Sequence, residues 1–295
     1  MIETSPDPRI IDSHHHVWDP AQREYPWMAG SPALQRPYST DDLRPLLAEN
    51  GVEATVLVQT VSDIAETREF LSLAANTDFI AGIVGWVDLL DPGIATILAD
   101  LKASPEGTWL VGIRHQIHDE ADPDWALQEQ VQHGLGAIAE AGLVYDLLVR
   151  TRELPAAITV ARDFSHLRFV VDHIAKPPIA SGEIDEWAAL MREFAPLENV
   201  ACKLSGMVTE ANPEGNLVEQ IKPYVNAVLE IFGPERLMFG SDWPVCTLAA
   251  SYGEVLAILR QVLDELGVTD REHLASIFGR TATYWYGLDV NIATI

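Results

Sequence analysis

Short runs of apolar and β-branched residues recur along the chain, and eight of them have the length and character of buried strands: 9–18, 54–60, 81–88, 110–115, 143–149, 167–174, 200–206 and 237–244. Between most of them the apolar spacing changes to three and four, which predicts helices over 63–76, 94–101, 125–141, 154–164, 184–194 and 217–232. Strand alternating with helix means parallel βαβ units. Eight such units in 295 residues are what a closed (β/α)8 TIM barrel of the α/β class requires. A doubly wound open sheet would usually bring a Gly-rich phosphate turn after its first strand, and that turn is absent. Beyond 244 the pattern predicts two or three helices, over 252–266, 271–278 and 281–286, that close the barrel. No internal repeat, linker or low-complexity segment interrupts it, so residues 1–295 read as one domain.

Polar residues gather at the ends of the predicted strands: Asp12, His14 and His16, then Gln59, Asp88, Arg114 with His115, Tyr145 with Asp146, Asp172 with His173, Lys203 with Ser205, and Ser241 with Asp242. In a barrel these C-terminal ends converge on one mouth. Alternation along the first strand turns His14 and His16 to one side and His15 to the other. Two imidazoles held on one face by a rigid element suit a divalent metal or an acid/base site. With His173 and Asp242 they make a set of three histidines and one aspartate that suits zinc or manganese and leaves room for water. Each member has a plainer explanation: a surface or tag-derived histidine run, a hydrogen-bonded core histidine, a turn aspartate. Their joint placement at one mouth favours the site.

The connection 17–40, rich in Trp18, Tyr25, Trp27 and Tyr38, exceeds the usual βα loop length and is a candidate wall of the mouth. Trp27 is the aromatic expected to reach substrate, the alternative being that these rings only cover the barrel. Arg114, Lys176 and Lys203 at three strand ends are expected to form a cationic rim for a polar or anionic substrate, unless they are tied up in salt bridges with Asp88 or Asp146. Gln59, Tyr145 and Trp243 are further candidates for contact with a sugar ring, and His115 for help at the carbonyl.

Composition narrows the partners. Asp and Glu outnumber Lys and Arg by 44 to 19, and the net charge of -25 opposes binding to nucleic acid or an anionic membrane. A small molecule is the expected partner, and a homo-oligomer stays open. With 48% hydrophobic and 21% charged residues the chain is globular. The first ten residues lack a basic stretch followed by an apolar run, and two cysteines, Cys202 and Cys246, suit a reducing compartment, so a cytoplasmic location is expected.

Four blocks carry a resemblance: Asp12-x-His14-x-His16, Asp172-His173-x-x-Lys176-Pro177, Cys202-Lys203-Leu204-Ser205-Gly206, and Met238-Phe239-Gly240-Ser241-Asp242-Trp243-Pro244. Together they resemble the amidohydrolase superfamily, and within it the "amidohydrolase 2" branch that holds sugar lactonases and pyrone-dicarboxylate lactonase. The likeness runs from about Arg9 to Leu288. It implies a (β/α)8 barrel with a hydrolytic site at its mouth, His14, His16, His173 and Asp242 at the metal or carbonyl-polarising positions, and Asp242 as general base. Binuclear members carry a bridging lysine on the fourth strand and a histidine on the fifth. Here those strands offer Arg114-His115 and Tyr145-Asp146, so at most one metal is expected, zinc favoured, and some lactonases of this branch work without any. Thr281 stands where relatives usually have asparagine, with no expected effect on chemistry.

The resulting expectation is hydrolysis of a lactone, with Asp242 activating water, His173 and its neighbours stabilising the oxyanion, and Asp242 returning the proton to the ring oxygen. Two other readings stay open: a decarboxylase of an aromatic or unsaturated acid, and a non-catalytic barrel that binds a metal or sugar.

Overall fold

Valine, isoleucine and leucine dominate the eight runs because a parallel strand ringed by helices is buried on both faces. The computed structural model of the chain describes residues 9–290. Its strands are β1 (Ile10–His15), β2 (Val52–Val58), β3 (Ile80–Gly85), β4 (Leu110–His115), β5 (Val144–Leu147), β6 (Phe169–Val171), β7 (Val200–Leu204) and β8 (Leu237–Phe239). All pair in parallel, each with the next in sequence order. Closure between β8 and β1 is made just beyond the end of β8: the Asp242 amide donates to His14 O at 2.8 Å and the His16 amide to Trp243 O at 2.7 Å. The helices are α1 (Thr40–Asn50), α2 (Ile64–Ala75), α3 (Ile94–Ala103), α4 (Glu129–Glu140), α5 (Leu154–Asp163), α6 (Asp185–Met191), α7 (Met207–Glu210), α8 (Leu217–Phe232), α9 (Tyr252–Glu265), α10 (Arg271–Ala275) and α11 (Thr281–Tyr286). The molecule is a (β/α)8 barrel, as the strand and helix pattern predicts.

Its apolar residues fall into two clusters. The larger one fills the layer between strands and helices. The smaller one lies inside the barrel, where Ile11, Val56, Val84, Val144, Val170, Ala201 and Met238 pack against Ala282, Trp285, Tyr286 and Leu288 from the tail. The tail thus seals the interior from one end. The opposite end, where the strands finish, is left to polar side chains.

Helix α1 escaped the sequence pattern because its signals are caps rather than periodicity. Ser39 and Asp42 form a reciprocal capping box, Gly51 ends the helix in the left-handed region, Pro45 interrupts the run, and Leu43 and Leu47 are the residues it buries. The one-turn helix α7 was missed for its brevity. The expected helix over 125–141 is divided into a 3-10 turn, Trp125–Leu127, and α4. The last expected helices are joined through a π turn, Ser276–Arg280. Strands β6 and β8 end earlier than expected, and the residues released, 172–174 and 240–244, build the site.

The long connection after β1 folds around Trp18. Its indole Nε1–H is shared between Leu34 O at 3.0 Å and Arg36 O at 3.1 Å, and Tyr25, Trp27 and Tyr38 pack around its ring. The aromatic richness of 17–40 therefore serves a small core of its own, with Trp27 at its edge and 37% exposed.

Candidate active site

Strict alternation along β1 would place Ile11 and His14 on opposite faces, yet both lie inside the barrel. The pairing of β1 with β2 shifts register between Asp12 and His15, and that irregularity re-aims the strand. Above it His14 and His16 share the interior, with their Nε2 atoms 3.2 Å apart, and His15 turns away to meet Thr55 Oγ1 at 2.9 Å. His16 Nδ1 lies 2.8 Å from Val58 O. A carbonyl only accepts, so that nitrogen carries the proton and Nε2 faces the cavity.

His173 is carried by a rarer device. Residues His173, Ile174, Ala175 and Lys176 all adopt positive φ, from 46° to 60°, a left-handed turn that costs of order 1 kcal/mol per residue. The Lys176 amide closes the turn on His173 O, and the Trp187 indole donates to Ile174 O, both at 2.8 Å. The turn lets consecutive residues Asp172 and His173 both serve the site. His173 Nδ1 meets Ser205 Oγ at 2.8 Å, and its ring lies on Gly206, where a Cβ would come within 2.6 Å of Nδ1. Gly206 also has φ +63°. Gly206→Ala is expected to push His173 off Ser205, lowering kcat at least roughly tenfold and stability by about 1–3 kcal/mol. Steady-state kinetics and thermal melts check this; wild-type turnover would contradict it.

Asp242 completes the set from a left-handed residue at φ 56°. Its Oδ1 lies 3.5 Å from His16 Nε2, 3.8 Å from His173 Nε2 and 3.9 Å from His14 Nε2. Burial alone would raise its pKa, but the neighbouring His173 and His16 rings and Lys176 outweigh it and hold the carboxyl below its usual range. Burial pushes His173 down to about 3 and holds His14 well below its ordinary value. At neutral pH the site therefore holds a carboxylate beside the neutral rings of His14 and His173, the form a general base needs. For the metal-free enzyme, kcat/KM is expected to stay level on acidification to about pH 4 and to fall below that as Asp242 and His173 take up protons. A profile measured between pH 3 and 8 checks it. A limb centred near pH 6 would instead mark Asp12 or Asp146, both of which burial pushes up to about 6.

The expected cationic rim is corrected by the structure. Arg114 and Lys203 are not at the surface but buried in the barrel with Asp146 and Asp172. Lys203 Nζ contacts Asp146 Oδ2 at 2.6 Å, Asp172 Oδ1 at 3.0 Å and His14 Nδ1 at 3.2 Å. Arg114 Nη1 donates to Asp172 Oδ2 at 3.0 Å and lies 3.3 Å from His14 Nε2, while Nη2 donates to Gln59 O. Beside them the Tyr286 hydroxyl lies 2.8 and 2.9 Å from the two Asp146 oxygens. Two cations against two carboxylates balance, which is how buried charge is tolerated. Burial would raise Asp172, but Lys203, His14 and Arg114 hold it well below the usual range.

Of the other predicted contacts, Gln59 is buried, its amide donating to Arg114 O and Gln116 Oε1. Lys176 is paired with Glu210 at 2.7 Å. His115 stacks on Trp125, and both its nitrogens are engaged, by the Trp86 indole at 3.0 Å and by Glu120 at 2.7 Å. Tyr145 points away from the mouth into the outer layer, edge-on to Phe169, because its neighbour Asp146 takes the inner face of β5. Trp243 is buried edge-on against Tyr38. Asp146 was expected only as a possible salt-bridge partner of the rim cations, a pairing that it makes with Lys203, and Asp172, Ser205 and Tyr286 carried no expected role. The strand-end position of the first three was a signal; for Tyr286, on the tail, there was none. Asp12 holds the β8 end in place by accepting from the Ser241 amide and hydroxyl and the Tyr252 hydroxyl.

The donor set suits a divalent cation. His14, His16 and Asp242 offer ligand atoms within 4.8 Å of one another, as do His14, Asp172 and His173. A tetrahedral ion with bonds of about 2.0–2.1 Å needs its ligand atoms about 3.3 Å apart, close to the spacing of the first trio. The His16–Val58 bond fixes the ring's orientation and leaves Nε2 free to ligate, as hydrogen bonds behind metal-binding histidines do.

Comparison with known proteins places this geometry. The profile of the family described as "Amidohydrolase" matches residues 11–288. The chain is 41% identical over 283 residues to an L-fucono-1,5-lactonase of Burkholderia ambifaria, covering 95% of this chain and 96% of the relative. It is 40% identical to an L-fucono-1,5-lactonase of Burkholderia multivorans, covering 94% and 96%. A crystal structure of an amidohydrolase from Burkholderia multivorans with bound zinc superposes with a TM-score of 0.88 at 37% identity, covering 95% of this chain and 99% of that one. The chain belongs to the amidohydrolase family.

Proposed function

We propose that this protein hydrolyses the ring ester of a sugar lactone, with L-fucono-1,5-lactone as the first candidate. The observation that carries the reading is the convergence of three imidazoles on Asp242 Oδ1 within 3.5–3.9 Å, at the mouth of a barrel similar along its length to two L-fucono-1,5-lactonases. That the tail and all eight strands contribute to one barrel supports reading residues 1–295 as one catalytic domain.

Asp242, ionised at neutral pH, takes a proton from water as it attacks the ring carbonyl. The negative charge that develops on the carbonyl oxygen is met by the His173 imidazole, whose Nε2 is turned toward Asp242, and by Arg114, whose Nη1 reaches His14. Fixed donors in a water-poor site stabilise such charge without reorganising. Asp242 then returns its proton to the departing ring oxygen, and the free acid leaves. His14, His16 and Asp242, with His173 beside them, would hold zinc when it binds, and the ion would supply Lewis-acid polarisation. We propose that the metal is dispensable. Trp27, at the exposed edge of the Trp18 cluster, is the side chain offered to the sugar face, and Lys176 the cation nearest the mouth. The buried free cysteines accord with a cytoplasmic enzyme, and among the described residues no helix is long and apolar enough to cross a membrane.

The test is a panel of 1,4- and 1,5-aldonolactones of differing stereochemistry, followed by acid release with and without chelator, with carbon dioxide monitored on aromatic acids. Acid release selective for 1,5-lactones is expected. Silence on lactones with carbon dioxide release from an aromatic acid would overturn the proposal in favour of a decarboxylase. Trp27→Ala is expected to raise KM several-fold with kcat within about twofold, the signature of uniform binding. A fall in kcat alone would remove Trp27 from the sugar contact.

A further inference from the structure

Of the three cations expected at the rim, Arg114 and Lys203 are buried against Asp172 and Asp146, and Lys176 alone keeps part of its side chain, 16%, open to solvent. Lys176 is not a bare charge. Its Nζ donates to Glu210 Oε1 at 2.7 Å, and the Glu210 side chain is open to a similar extent, 19%. Both partners are held by the backbone that carries His173. Lys176 ends the left-handed turn, with its amide on His173 O at 2.8 Å. Glu210 ends α7, the single turn that starts beyond Gly206, and the His173 ring lies on Gly206. Thr209 Oγ1 donates to Gly206 O at 2.9 Å and holds that turn closed. The pair therefore has a fixed place beside the His173 ring, and both His173 and Asp242 feel the charge of Lys176.

An ammonium has three N–H donors, and a carboxylate has two accepting oxygens. The contact between Lys176 and Glu210 uses one N–H and Oε1, which leaves two donors on Nζ and the oxygen Oε2 for a ligand. A hydroxyl both donates and accepts, so it can satisfy the two sides of such a pair at once. A carboxylate only accepts. It would gain the ammonium and meet the Glu210 carboxylate at the same point, and like charges brought together are how a site turns away a ligand whose shape it would otherwise admit.

We propose that the Lys176–Glu210 pair selects neutral, hydroxyl-bearing lactones and rejects lactones that carry a carboxylate, with Glu210 as the discriminating residue. This names the substrate class of the same site and rests on the lactonase reading. Lys176 by itself would draw an anionic ring to the mouth. Paired with Glu210, it becomes a donor to a ring hydroxyl, and the pair as a whole carries no net charge with which to hold an acid. The two side chains therefore push the choice of substrate in opposite directions, although both contribute to binding a hydroxyl.

The test uses a hexonolactone and the hexarolactone of the same ring size and configuration, which differ only in CH2OH against carboxylate at C6. The wild type is expected to open the first with the higher kcat/KM. Glu210→Gln keeps the shape and removes the charge, and it is expected to raise the ratio of hexarolactone to hexonolactone kcat/KM roughly tenfold or more. Lys176→Met is expected to lower the same ratio and to raise KM for the hexonolactone several-fold. Opposite shifts from the two variants, compared at equal metal content, are a result that general damage to the site does not give. The corresponding lactams, which have no ester to open, give the same comparison as affinities by calorimetry. A wild type that opens the hexarolactone as well as the hexonolactone would overturn the proposal, as would a folded Glu210→Gln that leaves the ratio unmoved; either result leaves the lactonase reading intact. Should the protein open no lactone while the lactam affinities shift as expected, the lactonase reading fails and the selectivity of the pair stands.

Discussion

Asp242→Asn is expected to remove at least about 10²–10⁴-fold of kcat while the protein still folds, the range that a positioned acid/base contributes. The substitution is unusually clean here. Asp242 sits at φ 56°, a conformation that asparagine tolerates nearly as well as aspartate, so the backbone turn survives. Its amide still donates to His14 O, so the join between β8 and β1 is kept. What disappears is a carboxylate with three imidazoles within 3.9 Å. Because the asparagine amide cannot take a proton from water, the loss falls on kcat rather than KM. Stopped or steady-state kinetics with a thermal melt as control checks this, and near-full turnover in a folded variant would remove Asp242 from the chemistry.

Lys203→Met alone is expected to destabilise the fold by about 3–5 kcal/mol, the scale seen when one partner of a buried ion pair is lost. Asp146 and Asp172 would be left with Arg114 as the remaining cation in contact with the pair, on Asp172, and Asp146 with the Tyr286 hydroxyl. For a chain of this size that corresponds to a fall in Tm of roughly 10 °C. Adding Asp146→Asn restores the balance of charge and is expected to recover most of the loss. Denaturant unfolding of both single variants and the double gives the coupling, and additive effects would show that the two side chains do not act as a pair.

Much of this arrangement is legible in the sequence because barrel strands announce themselves twice, by apolar β-branched runs and by polar residues at their ends. His14, His16, His173 and Asp242 could be picked out from that rule and from the motif blocks. Other features were hidden for physical reasons. The parity argument for β1 reached the right pair of histidines, but the register shift that carries both Ile11 and His14 inside has no local signature. The four-residue left-handed turn after β6 contains no glycine, so nothing marked it. Arg114 and Lys203 looked like a rim because a sequence pattern gives direction along a strand and not depth, and the carboxylates that bury them come from other strands. Tyr286 lies 140 residues from the Asp146 it bonds.

Asp242 among three histidines is proposed to open a sugar lactone. A pH-stat recording of acid release from L-fucono-1,5-lactone, run beside the spontaneous rate with wild-type protein and with Asp242→Asn, tests it most directly. One equivalent of acid per lactone is expected, released far above the spontaneous rate by the wild type and near that rate by the variant. Equal rates from the two proteins, or a wild type no faster than water, would contradict it.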